Sequence, residues 1–213
     1  LACLFQHITK LQAHQEWVAG RTWDRPLIAD KHIMVLGHGN IGKILAATLR
    51  PLTSNITLID PFKIKESKTE KINKAYDVVL LACSLNKTSE NIINQQFLTN
   101  CSTDLLLING ARGKLVDQQA LMIFLKKIPR SFASLDFFEN EPANFNNFSQ
   151  LHNIQLSSHI AGVSQFLDKA MLNFEKEVLN DFLNLNYQDF MENYQHDLLQ
   201  NRIHRDESGL FII

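Results

Sequence analysis

Short apolar runs alternate with helical patterns along most of this chain, and that alternation restricts the possible folds more than any other feature. The apolar runs predict strands at 33–37, 55–60, 77–82, 104–109, 131–138 and 153–158. The intervening patterns predict helices at 41–49, 90–98 and 116–127, with a weaker one at 71–76. Because near-continuous apolar strands separated by helices are typical of a parallel sheet covered on both faces, the pattern predicts a doubly wound α/β fold.

The two ends of the chain differ from this middle part. The apolar spacing of residues 1–17 predicts an amphipathic helix, and residues 165–185 predict one long helix. Residues 186–213 are mixed in character and predict no element.

The composition excludes several classes of protein. The 21 Lys and Arg residues nearly cancel the 22 Asp and Glu residues, and no basic stripe is present, which argues against a nucleic-acid partner. The longest apolar runs, such as 78–83, are too short to cross a bilayer, so no membrane partner is expected. Since residues 1–17 also lack the basic region of a signal peptide, a cytoplasmic location is predicted.

The three cysteines point to the same compartment. Cys3, Cys83 and Cys101 form no CxxC pair, and two of them lie in or beside apolar runs. This pattern predicts buried thiols in a reducing compartment and no metal site.

A glycine-rich motif follows the first predicted strand and opens the first predicted helix. Gly37, Gly39 and Gly42 form G-x-G-x-x-G within VLGHGNIG, and Asp60 ends the next strand, 18 positions after Gly42. In such a motif the glycines allow a tight turn, close approach of a pyrophosphate and close packing of helix on strand. The helix N-terminus adds N–H donors and positive potential. The context predicts a dinucleotide site, with a mononucleotide site on a similar turn as the alternative.

Asp60 also indicates which dinucleotide is bound. A carboxylate there accepts hydrogen bonds from the ribose hydroxyls and repels a 2′-phosphate, so NAD is favoured over NADP. Lys63 and Lys65 lie close by in the sequence and keep NADP as the second candidate.

Chemically useful side chains follow three further predicted strands. Arg112 lies just past one strand, Asp136 ends another with Glu141 in the loop beyond, and His159 follows a third. Ligands of open α/β sheets bind at the carboxyl ends of the strands, where all four side chains are expected. Taken singly, each has a plain structural explanation, as a surface cation, a turn residue or a helix cap.

Four motifs in one order resemble the D-isomer-specific 2-hydroxyacid dehydrogenases. They are VLGHGNIG (35–42), NGARGKLVDQQAL (109–121), LDFFENEP (135–142) and SHIAG (158–162), and the resemblance extends from the N-terminus to about residue 185. Arg, Glu and His follow each other with gaps of 29 and 18 positions, as in that family. The resemblance implies a Rossmann-type NAD-binding domain with flanking helices and an incomplete second domain.

The resemblance also implies roles for the reactive side chains. Arg112 would bind the carboxylate and carbonyl of a 2-oxo acid, which suits a planar bidentate guanidinium. His159 would protonate the carbonyl oxygen and take that proton back in the oxidation direction. Glu141, hydrogen-bonded to His159, would stabilise the protonated imidazole.

The cofactor contacts implied by the resemblance are more numerous. Asp136 would hold the nicotinamide carboxamide, and segment 83–89 would lie along the cofactor. Ser84 and Ser158 stand where the family commonly has proline. The full set of implied cofactor-binding residues is Gly37, Gly39, Asn40, Ile41, Gly42, Asp60, Cys83, Ser84, Leu85, Ala111, Asp136, His159 and Gly162.

A three-part organisation follows from the same resemblance. It consists of a linker and dimerisation helix with its arm at 1–26, a dinucleotide-binding domain at 27–163, and a crossover helix with a C-terminal remnant of the substrate domain at 164–213. Family members carry roughly 100 residues, about one small domain, ahead of the first helix, so a truncated form is expected. A homodimer is also expected, with the Trp17–Trp23 region in its arm.

The predicted activity is NAD-dependent interconversion of a small 2-oxo acid and a D-2-hydroxy acid by hydride transfer. One alternative is a non-catalytic NAD-binding module, such as a sensor or a dimeric scaffold. Another is a different enzyme on the same fold, such as a methyltransferase. The presence of Arg112, Glu141 and His159 together favours the dehydrogenase, because neither alternative has a use for that proton chemistry.

Overall fold

The structure, a computed structural model, describes residues 1–9, 27–60, 75–194, 203–206 and 209–212. These residues group into two units, 1–158 and 159–213, and each unit is described by itself. The predicted three-part division of the chain stays a prediction.

The first unit is built on a six-stranded sheet in which every neighbouring pair of strands is parallel. The order across the sheet is β2-β1-β3-β4-β5-β6. This arrangement confirms the doubly wound α/β fold. The strands are β1 (Ile33–Leu36), β2 (Ile56–Ile59), β3 (Val78–Leu81), β4 (Leu106–Asn109), β5 (Phe132–Leu135) and β6 (Ile154–Leu156).

Four α-helices of this unit lie within the described residues. They are α1 (Ala2–Thr9), α2 (Asn40–Leu49), α3 (Gln95–Thr99) and α4 (Gln118–Lys127). Alternate residues of each central strand enter two separate apolar clusters, which explains why the strands are apolar throughout. Ile33 and Val35 pack with α1 and α2, whereas Met34 and Leu36 belong to the cluster that includes α3 and α4.

Helix α4 and the end of β5 agree with the sequence prediction to within a few residues. Asp117 caps α4 by accepting the N–H of Ala120 at 2.9 Å. The strand predicted at 131–138 ends earlier, at Leu135. As a result, Asp136 leaves the sheet at its carboxyl edge.

The helix predicted at 90–98 is wrong over its first half. Ile93 forms an isolated parallel bridge with Val116, and Asn91 has a positive φ of 51°, so this stretch cannot be helical. The helix begins only at Gln95, after Asn94 caps it by accepting the N–H of Phe97 at 3.0 Å. A long-range backbone bridge overrode a local helical pattern here.

The second unit contains α5 (Leu167–Asn184) and α6 (Tyr187–Tyr194), followed by an antiparallel pair, β7 (Ile203–Asp206) and β8 (Gly209–Ile212). Helix α5 confirms the long helix predicted at 165–185. The other three elements lie in the segment for which no element was predicted. The weak helix predicted at 71–76 falls largely outside the described residues.

Candidate active site

The glycine-rich turn lies where the strand order of the sheet reverses. Leu36 ends β1, and Gly37 follows with a φ of +103°, a conformation that L side chains rarely adopt. A Cβ at Gly37 would lie 2.5 Å from the backbone nitrogen of Cys83 and 2.6 Å from the carbonyl carbon of Ala82. The ends of β1 and β3 are therefore in direct contact, at the position where open α/β sheets bind their ligands.

The other two glycines of the motif differ in what surrounds them. A Cβ at Gly42 would collide with the carbonyl group of Gly37, so helix α2 packs directly on the turn. A Cβ at Gly39 would meet no atom within 4 Å. Gly37 and Gly42 are thus required by the protein itself, whereas the space beside Gly39 is open to a ligand.

The beginning of α2 fits a phosphate group. Gly39 is its N-cap, and within the described residues no side chain caps this helix or places a carboxylate in its first turn. The N–H groups of a first helical turn have no partner within the helix, and together they carry a partial positive charge. With open space at Gly39, this end of the helix can accept a pyrophosphate.

Asp60 follows β2 directly and contacts the glycine-rich turn. Its Oδ2 accepts the backbone N–H of His38 at 2.7 Å. A carboxylate offers about four lone-pair positions, so this bond leaves acceptor capacity for ribose hydroxyls. Sequence reasoning missed the contact with His38, although an Asp at the strand end beside a turn rich in N–H groups is its signal. Lys63 and Lys65 lie outside the described residues.

The segment after β3 begins with a half-buried thiol, that of Cys83. Burial raises the pKa of Cys83 to about 12, and the nearby charge of Asp60 acts in the same direction. Since thiolate is the reactive form of cysteine, Cys83 is chemically inert near neutral pH. It serves as an apolar wall beside Gly37 rather than as a nucleophile.

Hydrogen bonds among small polar side chains shape the rest of that segment. The hydroxyl of Ser89 donates to the carbonyl of Ser84 at 2.8 Å and accepts the N–H of Asn86 at 2.9 Å. The Oδ1 of Asn86 accepts the N–H of Thr88 at 2.9 Å. Leu85, between them, is exposed. The predicted cofactor-contacting residues 83–85 therefore lie on a loop with a defined conformation at the edge of the sheet.

The loop that carries Arg112 depends on a buried asparagine. Asn109 is the last residue of β4, and its side chain is 1% exposed. Its Nδ2 donates to the carbonyl of Arg112 at 2.8 Å, and its Oδ1 accepts the N–H of Ala111 at 3.1 Å. Sequence reasoning gave Asn109 no role, although an Asn before Gly at a strand end is a typical turn signal.

The side chain of Arg112 is exposed and has two contacts at this edge of the sheet. Its Nη1 donates to the carbonyl of Ala111 at 2.6 Å. Its Cζ lies 5.5 Å from the centre of the Phe137 ring, within cation–π range. The guanidinium is thus held beside the residues that follow β5.

The loops that carry Arg112 and Glu141 touch each other. A Cβ at Gly113 would overlap the carbonyl of Phe138 and lie 2.7 Å from the backbone nitrogen of Glu139. The Oε1 of Glu141 accepts the N–H of Phe138 at 3.0 Å. We call residues 109–113 and 136–141 the paired loops. Their contact explains the glycine that follows Arg112, which the sequence alone did not explain.

Asp136 is buried within the paired loops. Its side chain is 5% exposed, and its Oδ1 accepts the hydroxyl of Ser157 at 2.6 Å. Its backbone N–H donates to the carbonyl of Asn109 at 3.1 Å. The last residue of β4 and the first residues after β5 and β6 are therefore joined by hydrogen bonds at one edge of the sheet.

His159 and Gly162 belong to the second unit, at its beginning. The side chain of His159 is exposed, and its backbone has a φ of +55°. Non-glycine residues with such a φ are uncommon and are often found at functional sites. A Cβ at Gly162 would meet no atom within 4 Å.

Comparisons with known proteins agree with these features. Residues 1–161 match the family model described as D-isomer specific 2-hydroxyacid dehydrogenase, NAD binding domain. A glyoxylate reductase from Pyrococcus furiosus is 30% identical over 169 residues, which are 74% of this chain and 48% of that protein. A D-3-phosphoglycerate dehydrogenase from Bacillus subtilis is 25% identical over 197 residues, 86% of this chain and 36% of that protein.

Solved structures show the same fold. A D-lactate dehydrogenase from Treponema pallidum superposes with a TM-score of 0.68 at 21% identity, covering 85% of this chain and 63% of that one. A D-lactate dehydrogenase with NAD+ from Lactobacillus jensenii gives a TM-score of 0.65 at 24% identity, covering 80% and 57%. The chain spans about half the length of the first curated relatives that it matches.

These matches confirm the predicted family resemblance and, through the NAD-binding domain, the predicted cofactor NAD. One structural neighbour is an NADPH-dependent glyoxylate/hydroxypyruvate reductase, so the same fold also serves NADP. Over the described residues, no helix is long and apolar enough to cross a membrane. The roles of the individual site residues stay predictions.

Proposed function

This chain belongs to the D-isomer specific 2-hydroxyacid dehydrogenases, and we propose that it interconverts small 2-oxo acids and D-2-hydroxy acids with NAD(H). The observation that carries the proposal is the contact between the paired loops. They present an arginine and a glutamate at the same sheet edge as the glycine-rich turn. A module that only binds the dinucleotide needs the turn and Asp136, but it has no need of Arg112 or Glu141.

The residues present fit the cofactor. The first turn of α2 and the open space at Gly39 would hold the pyrophosphate, and Asp60 would accept the ribose hydroxyls. Asp136 would hold the carboxamide. When bound, NADH supplies the hydride of the reaction.

Arg112 would bind the substrate carboxylate through its two parallel N–H donors, which orients the carbonyl next to it. His159 would give a proton to the carbonyl oxygen as negative charge develops there. Glu141 would stabilise the protonated form of His159 by its negative charge. In the oxidation direction the same histidine takes the proton from the hydroxyl group.

Glyoxylate is the substrate that we place first among the candidates. Three of the first curated relatives are glyoxylate reductases, and the match to this chain covers less than half of the length of each. The same arginine suits any small 2-oxo acid, because it recognises the carboxylate and carbonyl that all of them share.

We also propose a cytoplasmic homodimer. The cytoplasmic location is supported by three free cysteines, Cys3, Cys83 and Cys101, since unpaired thiols are typical of a reducing compartment; all three are partly exposed rather than buried as the sequence predicted. The dimer is supported by the family, whereas the Trp17–Trp23 region assigned to its arm lies outside the described residues. Light scattering tests it, and a monomer mass at working concentration would exclude the dimer.

The test of the activity joins binding to turnover in the same samples. We expect the chain to bind NADH, as measured by the fluorescence of NADH. We also expect it to oxidise NADH when glyoxylate, hydroxypyruvate or pyruvate is present. His159→Ala should abolish oxidation and weaken NADH binding far less, because the imidazole is the proposed proton donor whereas most of the proposed cofactor contacts lie elsewhere. Gly39→Ala should weaken binding more than it lowers stability, because its Cβ meets no protein atom and occupies open space next to the turn, whereas the loss of a glycine N-cap costs only modestly. NADH binding without turnover in the unmodified chain would favour the non-catalytic NAD module.

A further inference from the structure

We propose that Ser157 is a positioning residue of the nicotinamide site, which orients the carboxylate of Asp136 toward the cofactor carboxamide. The inference rests on the proposed function and adds a residue that neither the motifs nor the family resemblance assigned. If the inference holds, the ability of the site to distinguish nicotinamide from its analogues depends on Ser157, the residue that follows β6.

The bond between the two side chains is short and buried. The hydroxyl of Ser157 donates to the Oδ1 of Asp136 at 2.6 Å. This distance is within the range of O–H···O⁻ bonds, which are roughly twice as strong as bonds between neutral groups. Asp136 is only 5% exposed, so water competes little for that oxygen.

Both residues are also held through their backbones. Asp136 donates its N–H to the carbonyl of Asn109 at 3.1 Å, and Ser157 donates its N–H to the carbonyl of Leu135 at 3.0 Å. The pair therefore joins the ends of three neighbouring strands, β4, β5 and β6. Because the backbones are fixed, the remaining freedom of Asp136 is rotation of its carboxylate.

A hydroxyl donor restricts that rotation. The terminal torsion of an aspartate is broad and has no sharply preferred angle, so packing and hydrogen bonds decide where its oxygens lie. An ionised carboxylate only accepts hydrogen bonds, whereas the amino group of a carboxamide only donates them. The bond from Ser157 to Oδ1 therefore restricts the orientation of the carboxylate before the cofactor arrives.

Removing the hydroxyl has two expected consequences. The buried carboxylate loses a donor, and its orientation is less restricted. Both consequences weaken a contact to the carboxamide N–H, and neither weakens contacts to the pyrophosphate or the ribose. The loss should therefore depend on whether the nicotinamide ring carries an amide N–H.

The chain contains a matched control. Ser158 is the next residue and is exposed, whereas Ser157 is partly buried. Ser158→Ala removes the same hydroxyl group one position away. Ser157→Thr keeps the hydroxyl and is the conservative variant that should retain the bond.

The experiment measures dissociation constants for NADH and for the reduced 3-acetylpyridine analogue, in which a methyl group replaces the amide nitrogen. We expect Ser157→Ala to weaken NADH binding about 10-fold and analogue binding less than about 2-fold, because only NADH donates to Asp136. Ser157→Thr and Ser158→Ala should stay within about 2-fold of the unmodified chain for both ligands. Thermal unfolding of each variant checks that the fold is intact.

Three outcomes overturn the inference. Equal losses for NADH and the analogue would show that Ser157 only supports the fold. No loss for NADH in Ser157→Ala would show that the hydroxyl does not set the carboxylate. If the unmodified chain bound neither ligand, the proposed function would fail and the inference with it, whereas the first two outcomes leave the proposed function standing.

Discussion

The glycine-rich turn and the paired loops use opposite means to build a site on the same edge of one sheet. In the turn, neighbouring main-chain atoms leave no room for side chains, because a Cβ at Gly37 or Gly42 would collide with them. In the paired loops, buried polar side chains hold the chain, with Asn109 bonded to the loop that follows it and Asp136 bonded to Ser157.

The difference fits the ligands that we propose for each region. A pyrophosphate is recognised by backbone N–H groups and a helix N-terminus. The backbone of the turn must therefore approach the ligand closely, and no side chain is required. A substrate carboxylate and a carboxamide are recognised by side chains, which must be held in one orientation. Each region contains one exception to its own rule, Gly113 in the paired loops and Asp60 beside the turn, and these exceptions test the comparison.

Gly113→Ala should have the largest effect. Its Cβ would overlap the carbonyl of Phe138 and crowd the nitrogen of Glu139, and backbone atoms cannot rotate away as a side chain can. We expect the free energy of unfolding to fall by about 3 kcal/mol, as measured by urea denaturation.

Gly110→Ala is the matched control for that substitution. Gly110 lies in the same loop, and a Cβ there would meet no atom within 4 Å. We expect a change within about 0.5 kcal/mol. Equal losses in the two variants would contradict the close contact between the paired loops.

Asp60→Ala should have the next largest effect, on cofactor binding. It removes both the acceptor for the N–H of His38 and the charge that we propose faces the ribose. We expect the dissociation constant of NADH to rise about 10-fold, which corresponds to about 1.4 kcal/mol. We also expect the preference for NADH over NADPH to narrow.

Asp60→Asn separates the two effects, because the amide oxygen still accepts the N–H of His38 but carries no charge. We expect it to narrow the preference over NADPH as the alanine variant does, with a smaller loss of NADH affinity. Unchanged titrations with both cofactors in both variants would remove Asp60 from the site.

The smallest effect is expected on the free energy of unfolding at alkaline pH. It arises from the thiol of Cys83, which lies beside the glycine-rich turn. Burial raises the pKa of Cys83 from 9.0 to about 12, so the unfolded chain loses this proton first as the pH rises. The stability is therefore complete below about pH 9 and falls as the pH rises toward about 12, by less than about 1 kcal/mol per thiol between pH 8 and 9.5.

Urea midpoints across that pH range should fall less steeply in Cys83→Ala than in the unmodified chain. Cys101, whose pKa burial also raises to about 12, contributes a slope of its own that this variant keeps. Identical slopes in the two proteins would show that Cys83 is less buried than the structure has it.

Local patterns predicted the elements whose causes are local. The strands are apolar on both faces, and α4 has its cap Asp117 and its terminal lysines. The hydrophobic pattern and the capping residues were therefore sufficient to predict these elements. The helix at 90–98 was misassigned because the bridge from Ile93 to Val116 is a contact between distant segments. Residues 186–213 gave no pattern, yet they contain α6 and the β7–β8 pair.

Residue patterns alone predicted the parallel sheet, the glycine-rich turn with Asp60, and the candidate reactive side chains Arg112, Glu141 and His159. These follow from residue types and spacings that a single stretch of chain displays. The packing of Gly113 against Phe138 and the bond from Ser157 to Asp136 are evident only in the folded chain. The physical reason is that a close approach or a buried hydrogen bond requires two segments, and neither segment alone indicates its partner.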